Sequence, residues 1–285
     1  MKAITKITKI PLSKINDIDY NTNNVTNETS DNDYIETCRK FHATNYINNL
    51  YTNKLERDIS VIVQLTPSEI AVLKQAACIG IYTLKISELY KEEIQQIIEK
   101  IETNLPKVQS KIIFVRNNEC SPKDSPLWGA CITAEEIVTL LISSMRIFRV
   151  LNRGVVDENI LILKPWVYID RSTEYRVFIY NGQITGISQY YLYEYFDRNI
   201  LDFEKYFEKL VYKIQQLYYN FKHLYKTCVM DIYIHHDEEQ TVQLIEFNPF
   251  GAKYSSGSAL FNWVTDHEQL YGLTDGVEVR ITSKN

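Results

Sequence analysis

An α+β or mixed α/β fold in two lobes is what this sequence predicts, and three observations predict it. Runs rich in β-branched and aromatic residues alternate with amphipathic helical segments, which argues against an all-α or all-β class. Neighbouring strand runs are separated by short, turn-like segments, so adjacent strands are expected to pair antiparallel. With 285 residues, the chain can bury roughly three quarters of its unfolded surface, enough for two joined cores.

The first residues, MKAITKITKIPLSKIND, are basic but interrupted by Thr, Lys and Pro. They lack the apolar core of a signal peptide, and no export by that route is expected. Residues 17–33, DIDYNTNNVTNETSDND, are too polar to bury a face and read as a mobile arm. Globular sequence then begins near Tyr34. From Asp58, ISVIVQL reads as a buried strand, followed by a helix with Thr66 or Ser68 as cap and Pro67 in its first turn. Over residues 87–105, Leu89, Tyr90, Ile94, Ile97, Ile98, Ile101 and Leu105 fall on one helical face, and Pro106 ends the pattern. The strand KIIFVR follows, then a helix over 134–150 and a strand LILKPWVYI. EYRVFIY and QITGISQ are joined at Asn181-Gly182, a strong hairpin signal. A long helix runs from Phe203 to about Tyr225, its stripe of Phe203, Phe207, Leu210, Ile214, Leu217, Phe221 and Leu224 reading as core packing. The expected organisation is an arm over 1–33, an N-terminal lobe with a central region over 34–160, a C-terminal lobe over 161–275 and a tail over 276–285.

Composition narrows the function classes. A net charge of −5 and a pI of about 5.7 give no footprint for nucleic acid. No segment reaches the roughly 18 apolar residues of a membrane span. Five scattered cysteines without CxxC or Cys/His spacing suit a reducing compartment and buried thiols, and a cytoplasmic location is expected. No Ser/His/Asp or Cys/His nucleophile and no Gly-rich phosphate loop is legible.

The most informative segment, MDIYIHHDEEQTVQLIEFN, reads as two strands around a charged turn centred between Glu238 and Glu239. In that register Asp231 lies opposite Glu246, two carboxylates that repel unless a cation lies between them. Asn248 shares the face of Glu246, roughly 7 Å further along the strand. Two readings fit this spacing: a solvated acidic hairpin, and a site in which Asp231, Glu246 and Asn248 hold a hard cation such as magnesium. Apolar neighbours, Val229, Ile232, Ile234, Val242, Leu244 and Phe247, favour the second. His235 and His236 fall at the hairpin tip and are expected to face solvent. Upstream, Arg116 ends the strand KIIFVR, Lys164 interrupts the apolar LILKPWV, and Arg176 alternates with Glu174. Each alone reads as a snorkelling cation or a structural ion pair. Together, beside magnesium ligands, they point to a phosphate, because a lysine in mid-strand is costly to bury without an anion.

LKPWVYIDRSTEYRVFIYNGQITGISQ resembles the LRxWV, EFRCFV and GISQR signature of the cell division cycle protein 123 family. IEFNPFG and LFNW (Leu260 to Trp263) resemble two further elements of that family, FVRNNECSPKDSPLW resembles its FPKLNWSSPKDAxW, and LLISS (Leu140 to Ser144) its LLKSS. The five blocks keep the family's order over roughly residues 38–270. The resemblance implies an ATP-grasp fold, two α+β lobes clamping ATP and magnesium. Carried over by position, Asp231, Glu246 and Asn248 would hold magnesium, Lys164 and Arg116 would contact phosphates, Arg176 would reach the triphosphate end, Asn118 keeps the family's asparagine, and the backbone of Trp166 and Val167 would meet adenine. Arg116 replaces a lysine, and Tyr190 follows Gln189 where the family has a second arginine, which weakens the case for chemistry at the γ-phosphate.

Two functions follow from the resemblance. In the first, a monomeric ATP-dependent assembly chaperone binds the gamma subunit of translation initiation factor two. The Asn-, Ile- and Lys-heavy composition suggests an AT-rich bacterial or viral source, in which case the chain would act as an effector in a host's cytoplasm. In the second, an ATP-grasp ligase joins a carboxylate to an amine through an acyl phosphate, with Lys253 supplying the charge missing after Gln189.

Overall fold

In a computed structural model of the protein, residues 4–16, 31–47, 60–126, 129–153, 160–198, 202–254 and 256–284 are described. The elements are β1 (Ile4–Pro11), α1 (Leu12–Ile15), α2 (Asp31–Lys40), α3 (Thr44–Ile47), β2 (Val61–Gln64), α4 (Pro67–Thr83), α5 (Lys91–Glu102), β3 (Ile113–Asn117), β4 (Ala130–Cys131), α6 (Ala134–Ile142), α7 (Met145–Asn152) and β5 (Ile160–Pro165). There follow β6 (Glu174–Tyr180), β7 (Gln183–Gln189), α8 (Phe203–Tyr219), β8 (Cys228–Ile234), β9 (Val242–Asn248), α9 (His267–Leu270) and β10 (Val277–Ser283). They divide into two units, one of residues 42–168, the other of residues 1–41 and 169–285.

The 42–168 unit carries a four-stranded antiparallel sheet in the order β2-β5-β3-β4. One face of it, Val61, Val63, Ile113, Val115, Leu161 and Leu163, is buried against Ile70, Leu73, Ile94, Ile97, Ile101, Ile137 and Leu141 of the helices. α4 begins as its sequence dictates, with Thr66 and Glu69 in a reciprocal capping box and Pro67 in the first turn. Where one helix was expected over 134–150 there are two. The Ser144 hydroxyl accepts from Ile147 N and caps α7, while Asp124 accepts from Ser144 Oγ at 2.6 Å and Arg146 N at 3.0 Å. Two serines in succession offer the backbone a cap in place of a continued helix. α4 and α6 approach closely at Gly80, where an added Cβ would stand 2.8 Å from Ile142 Cγ1 and 2.9 Å from its carbonyl oxygen.

The second unit is built on a six-stranded sheet, β1-β10-β7-β6-β8-β9. β1 pairs β10 and β10 pairs β7 in parallel, against the expectation of antiparallel neighbours, while β7-β6-β8-β9 is antiparallel. The expected arm and tail are therefore corrected. Ile4–Pro11 and Val277–Ser283, placed outside the lobes by the sequence reading, are adjoining strands of this sheet. Their alternating patterns, ITKITKIP and VEVRITS, suit strands, but each needs a partner remote in sequence, and no local signal reports that. Residues 31–33 of the polar tract open α2; residues 17–30 lie outside the described residues. The hairpin at Asn181-Gly182 forms as expected, with φ of 48° and 77° at its two turn residues. α8 stops at Tyr219, short of Tyr225; the Tyr218 hydroxyl donates to the Tyr225 carbonyl across the turns that follow.

The central strands β6 and β8 are buried on both faces. On one side α8 packs Phe207 edge-on to Tyr175. On the other, the segment after β9 lays Phe250, Phe261 and Trp263 against Phe178 and Val229.

Candidate functional site

Six residues, one per strand, are paired in a row across the second unit's sheet. Thr8 pairs Arg280, Arg280 pairs Ser188, Ser188 pairs Arg176, Arg176 pairs Asp231, and Asp231 pairs Glu246. Directly paired residues project to one face, so this is a polar row across a largely apolar sheet. Opposition of Asp231 and Glu246 is the register expected from sequence. An extra residue between Glu246 and Leu244 then shifts the pairing nearer the tip, where Ile232 faces Leu244.

The cation beside these carboxylates is Arg176. Its Nε donates to Asp231 Oδ1 at 2.8 Å and its Nη2 to Oδ2 at 2.7 Å, a bidentate pair with side chains 9% and 1% exposed. Its Nη1 donates to the Gly257 carbonyl at 2.6 Å, and the Tyr190 ring lies 5.1 Å from the guanidinium. Burial works against the charge, but the Asp231 carboxylate, with Tyr190 and Glu246, outweighs it and holds the Arg176 pKa above its usual value. Asn248 Nδ2 donates to Asp231 Oδ2 at 3.2 Å. Arg176, Asp231, Glu246 and Asn248, expected together from sequence, are thus together. Gly257 and Tyr190 were missed, since nothing in their local sequence signals a contact with Arg176.

In the 42–168 unit Arg116 and Lys164 lie on one sheet face, because Arg116 pairs Ile162 and Lys164 pairs Phe114. This face is opposite the helix-covered one. Lys164 is half-buried; Arg116 is buried, donating from Nε to the Asn117 carbonyl and from Nη2 to that of Glu119. Asn118 serves its own unit. Its Oδ1 accepts from Thr44 N at 3.0 Å and Thr44 Oγ1 at 3.1 Å, and its Nδ2 meets His42 Nδ1 at 3.3 Å. The Trp166 N–H donates to the Ile112 carbonyl at 2.8 Å, and Val167 is 40% exposed.

Among the described residues no group of three or more His, Cys, Asp or Glu side chains is arranged to hold a metal ion. The donor set at the sheet row is smaller, two carboxylates and one amide. Its oxygens are hard ligands of the kind that suit magnesium, and Arg176 offsets one of the two carboxylate charges.

A family model described as D123 matches residues 83–285. The chain belongs to this family, that of cell division cycle protein 123. Relatives include the translation initiation factor eIF2 assembly proteins of Xenopus laevis, 29% identical over 183 residues (58% of this chain, 52% of the relative), and of Schizosaccharomyces pombe, 29% identical over 217 residues (68% and 63%). The chain's match spans about half the length of the first of these relatives. The structure of Cdc123 from Schizosaccharomyces pombe aligns with a TM-score of 0.65 at 23% identity, covering 87% of this chain and 98% of that one. That likeness concerns the fold alone, a mixed α+β architecture.

Two D123 motifs that look separate in the sequence are one structural unit. Besides the Asp124–Ser144 contact, Ser125 Oγ lies 2.7 Å from Ser143 Oγ, so SPKDSP and LLISS hold each other. At the position where the family has its second arginine, Tyr190 covers Arg176. Arg198 does not replace that arginine: it bonds Gln189 Oε1 at 2.9 Å and lies over the Tyr175 ring, on the sheet's α8 side. Lys253 is exposed, its ammonium 5.3 Å from the Tyr254 ring. His236 is largely exposed, as expected, and pairs with Asp170 at 2.9 Å, whereas His235 is half-buried on Gln243. No helix among the described residues is long and apolar enough to cross a membrane.

Proposed function

We propose that this chain binds ATP with magnesium and assists assembly of translation initiation factor two, with that factor's gamma subunit as its partner. Membership of the D123 family carries the reading; relatives named as eIF2 assembly proteins give its direction. The chemistry comes from the sheet row. Asp231, Glu246 and Asn248 would hold the magnesium, with Arg176 fixing Asp231 in place. Lys164 and Arg116 are the phosphate-side cations, and the chain beyond β5, at Trp166 and Val167, the adenine-side backbone. Bound magnesium would neutralise triphosphate charge. The Tyr190 ring, in place of a second cation beside Arg176, favours nucleotide that is held rather than turned over, and so the clamp rather than the ligase.

The test is calorimetry of ATP binding with and without magnesium on wild type and Glu246→Gln, alongside capture of purified gamma subunit. Magnesium-dependent binding that is weakened in Glu246→Gln, with nucleotide-dependent capture, is expected. ATP binding indifferent to magnesium and to Glu246 would overturn the site. Steady ADP release would overturn the clamp, and intact nucleotide binding without capture would overturn the partner alone.

A further inference from the structure

From Lys209 to Met230 the sequence has four lysines and one histidine and no Asp or Glu, in a chain of net charge −5. This stretch covers most of α8 and the turns after it. There the structure opens a groove of about 490 Å³, lined by Gly182, Gln183, Ile184, Gln215, Tyr219 and Lys222, with Tyr218 at its base. Flanking the buried stripe of Phe207, Leu210, Val211, Ile214 and Tyr218, Tyr212, Gln215 and Tyr219 follow one another at helical spacing, and Lys222 follows in the turn after the helix. Tyr219 is 77% and Tyr212 46% exposed. The turn backbone lies against Lys222: a Cβ added at Gly182 would be 3.2 Å from Lys222 Cε and 3.9 Å from its Nζ. Gly182 N donates to the Lys226 carbonyl, which brings Lys226 to the same turn. Lys222, His223 and Lys226 form no ion pair among the described residues.

We propose that this groove docks an acidic segment of a protein partner. The plain reading of cations after a helix is that they answer its C-terminal dipole, but that end carries only about half a negative charge, less than two lysines supply. Nucleic acid fits worse, since its backbone is a continuous run of phosphates that many cations must neutralise, whereas the groove is lined by one ammonium group, Lys222, with His223 and Lys226 exposed close by in the chain. Carboxylates meet these cations and the Gln183 and Gln215 amides singly, while the exposed Tyr219 ring accepts an apolar side chain. The inference does not depend on the nucleotide reading.

The experiment is fluorescence anisotropy of the full chain with a short labelled peptide of Asp and Glu around one leucine. Single-stranded RNA and phosphatidylserine vesicles serve as competitors. Binding should weaken as salt rises, fall about tenfold in Lys222→Glu/Lys226→Glu and a few-fold in Tyr219→Ala, with thermal unfolding of these surface variants unchanged. Absence of peptide binding, binding indifferent to the lysine reversals, or displacement by RNA or vesicles at lower concentration than by unlabelled peptide would each overturn it.

Discussion

Asp231→Ala leaves the Arg176 guanidinium buried without its carboxylate, and the size of that defect can be worked from the contacts. Two charge-assisted hydrogen bonds of 2.8 and 2.7 Å disappear, between side chains that are 9% and 1% exposed. Breaking a buried pair by removing one partner costs about 3–5 kcal/mol. The Gly257 carbonyl and Glu246 remain near the cation, so the lower end applies, about 3 kcal/mol, or ~6–12 °C in Tm for a unit of this size. Removing both charges in Arg176→Met/Asp231→Leu should cost less than either single change, because no charge is then stranded. Urea unfolding, with amide exchange in β6 and β8 reporting on this unit, measures Asp231→Ala and, as a double-mutant cycle, Arg176→Met, Asp231→Leu and their combination. A loss below ~1 kcal/mol in Asp231→Ala, or a double variant as unstable as the sum of the singles, would refute the claim that the pair organises this sheet.

Glu278 supplies a pH test. Burial raises its pKa, but the Arg280 guanidinium and the Thr8 hydroxyl more than offset this and leave it below 4.5. The stability it contributes is therefore present above pH 4.5 and lost as the pH falls through the lower folded value; Glu278→Gln should flatten the decline in stability below pH 4.5, and an unchanged slope in acid unfolding would count against the assignment. Burial pushes the Cys120 thiol up to about 11 and that of Cys131 up to about 12, and raises that of Cys228 as well. At neutral pH a thiol reagent should label exposed Cys78 first and buried Cys131 and Cys228 only on unfolding; prompt labelling of Cys228 in the native state would contradict the burial. Gly80→Ala should cost about 1–3 kcal/mol by overpacking α4 against Ile142, and thermal unfolding within a degree of wild type would show that the helices separate freely.

What the sequence made legible was local. The Asp231–Glu246 opposition followed from period-two patterning around one short turn, and the Asn181-Gly182 hairpin from its turn residues, since both partners lie within a few residues of the loop that sets their register. What stayed hidden is remote in sequence. β1 pairs with β10 across almost the whole chain, and Gly257 reaches Arg176 over 81 positions. The same blindness gave Asn118 only a family role, whereas its amide ties Thr44 and His42 to the end of β3. Asp231 does meet a cation, but it is Arg176, a residue read separately as a triphosphate contact, on the strand that flanks Asp231 on the side away from Glu246.

That substitution bears on how a site of this kind is tested. If Asp231 answered only to a bound metal, its loss would be a clean test of binding. Here it also answers a buried guanidinium, so Asp231→Ala would lower nucleotide binding even in a protein whose site never used that carboxylate. Glu246 is half-buried at the edge strand β9, and its neutral amide replacement strands no charge of comparable depth. A selective loss of magnesium dependence in Glu246→Gln, with the Arg176–Asp231 pair and the unfolding transition intact, therefore separates a ligand site from a structural ion pair, and the Asp231 variants cannot.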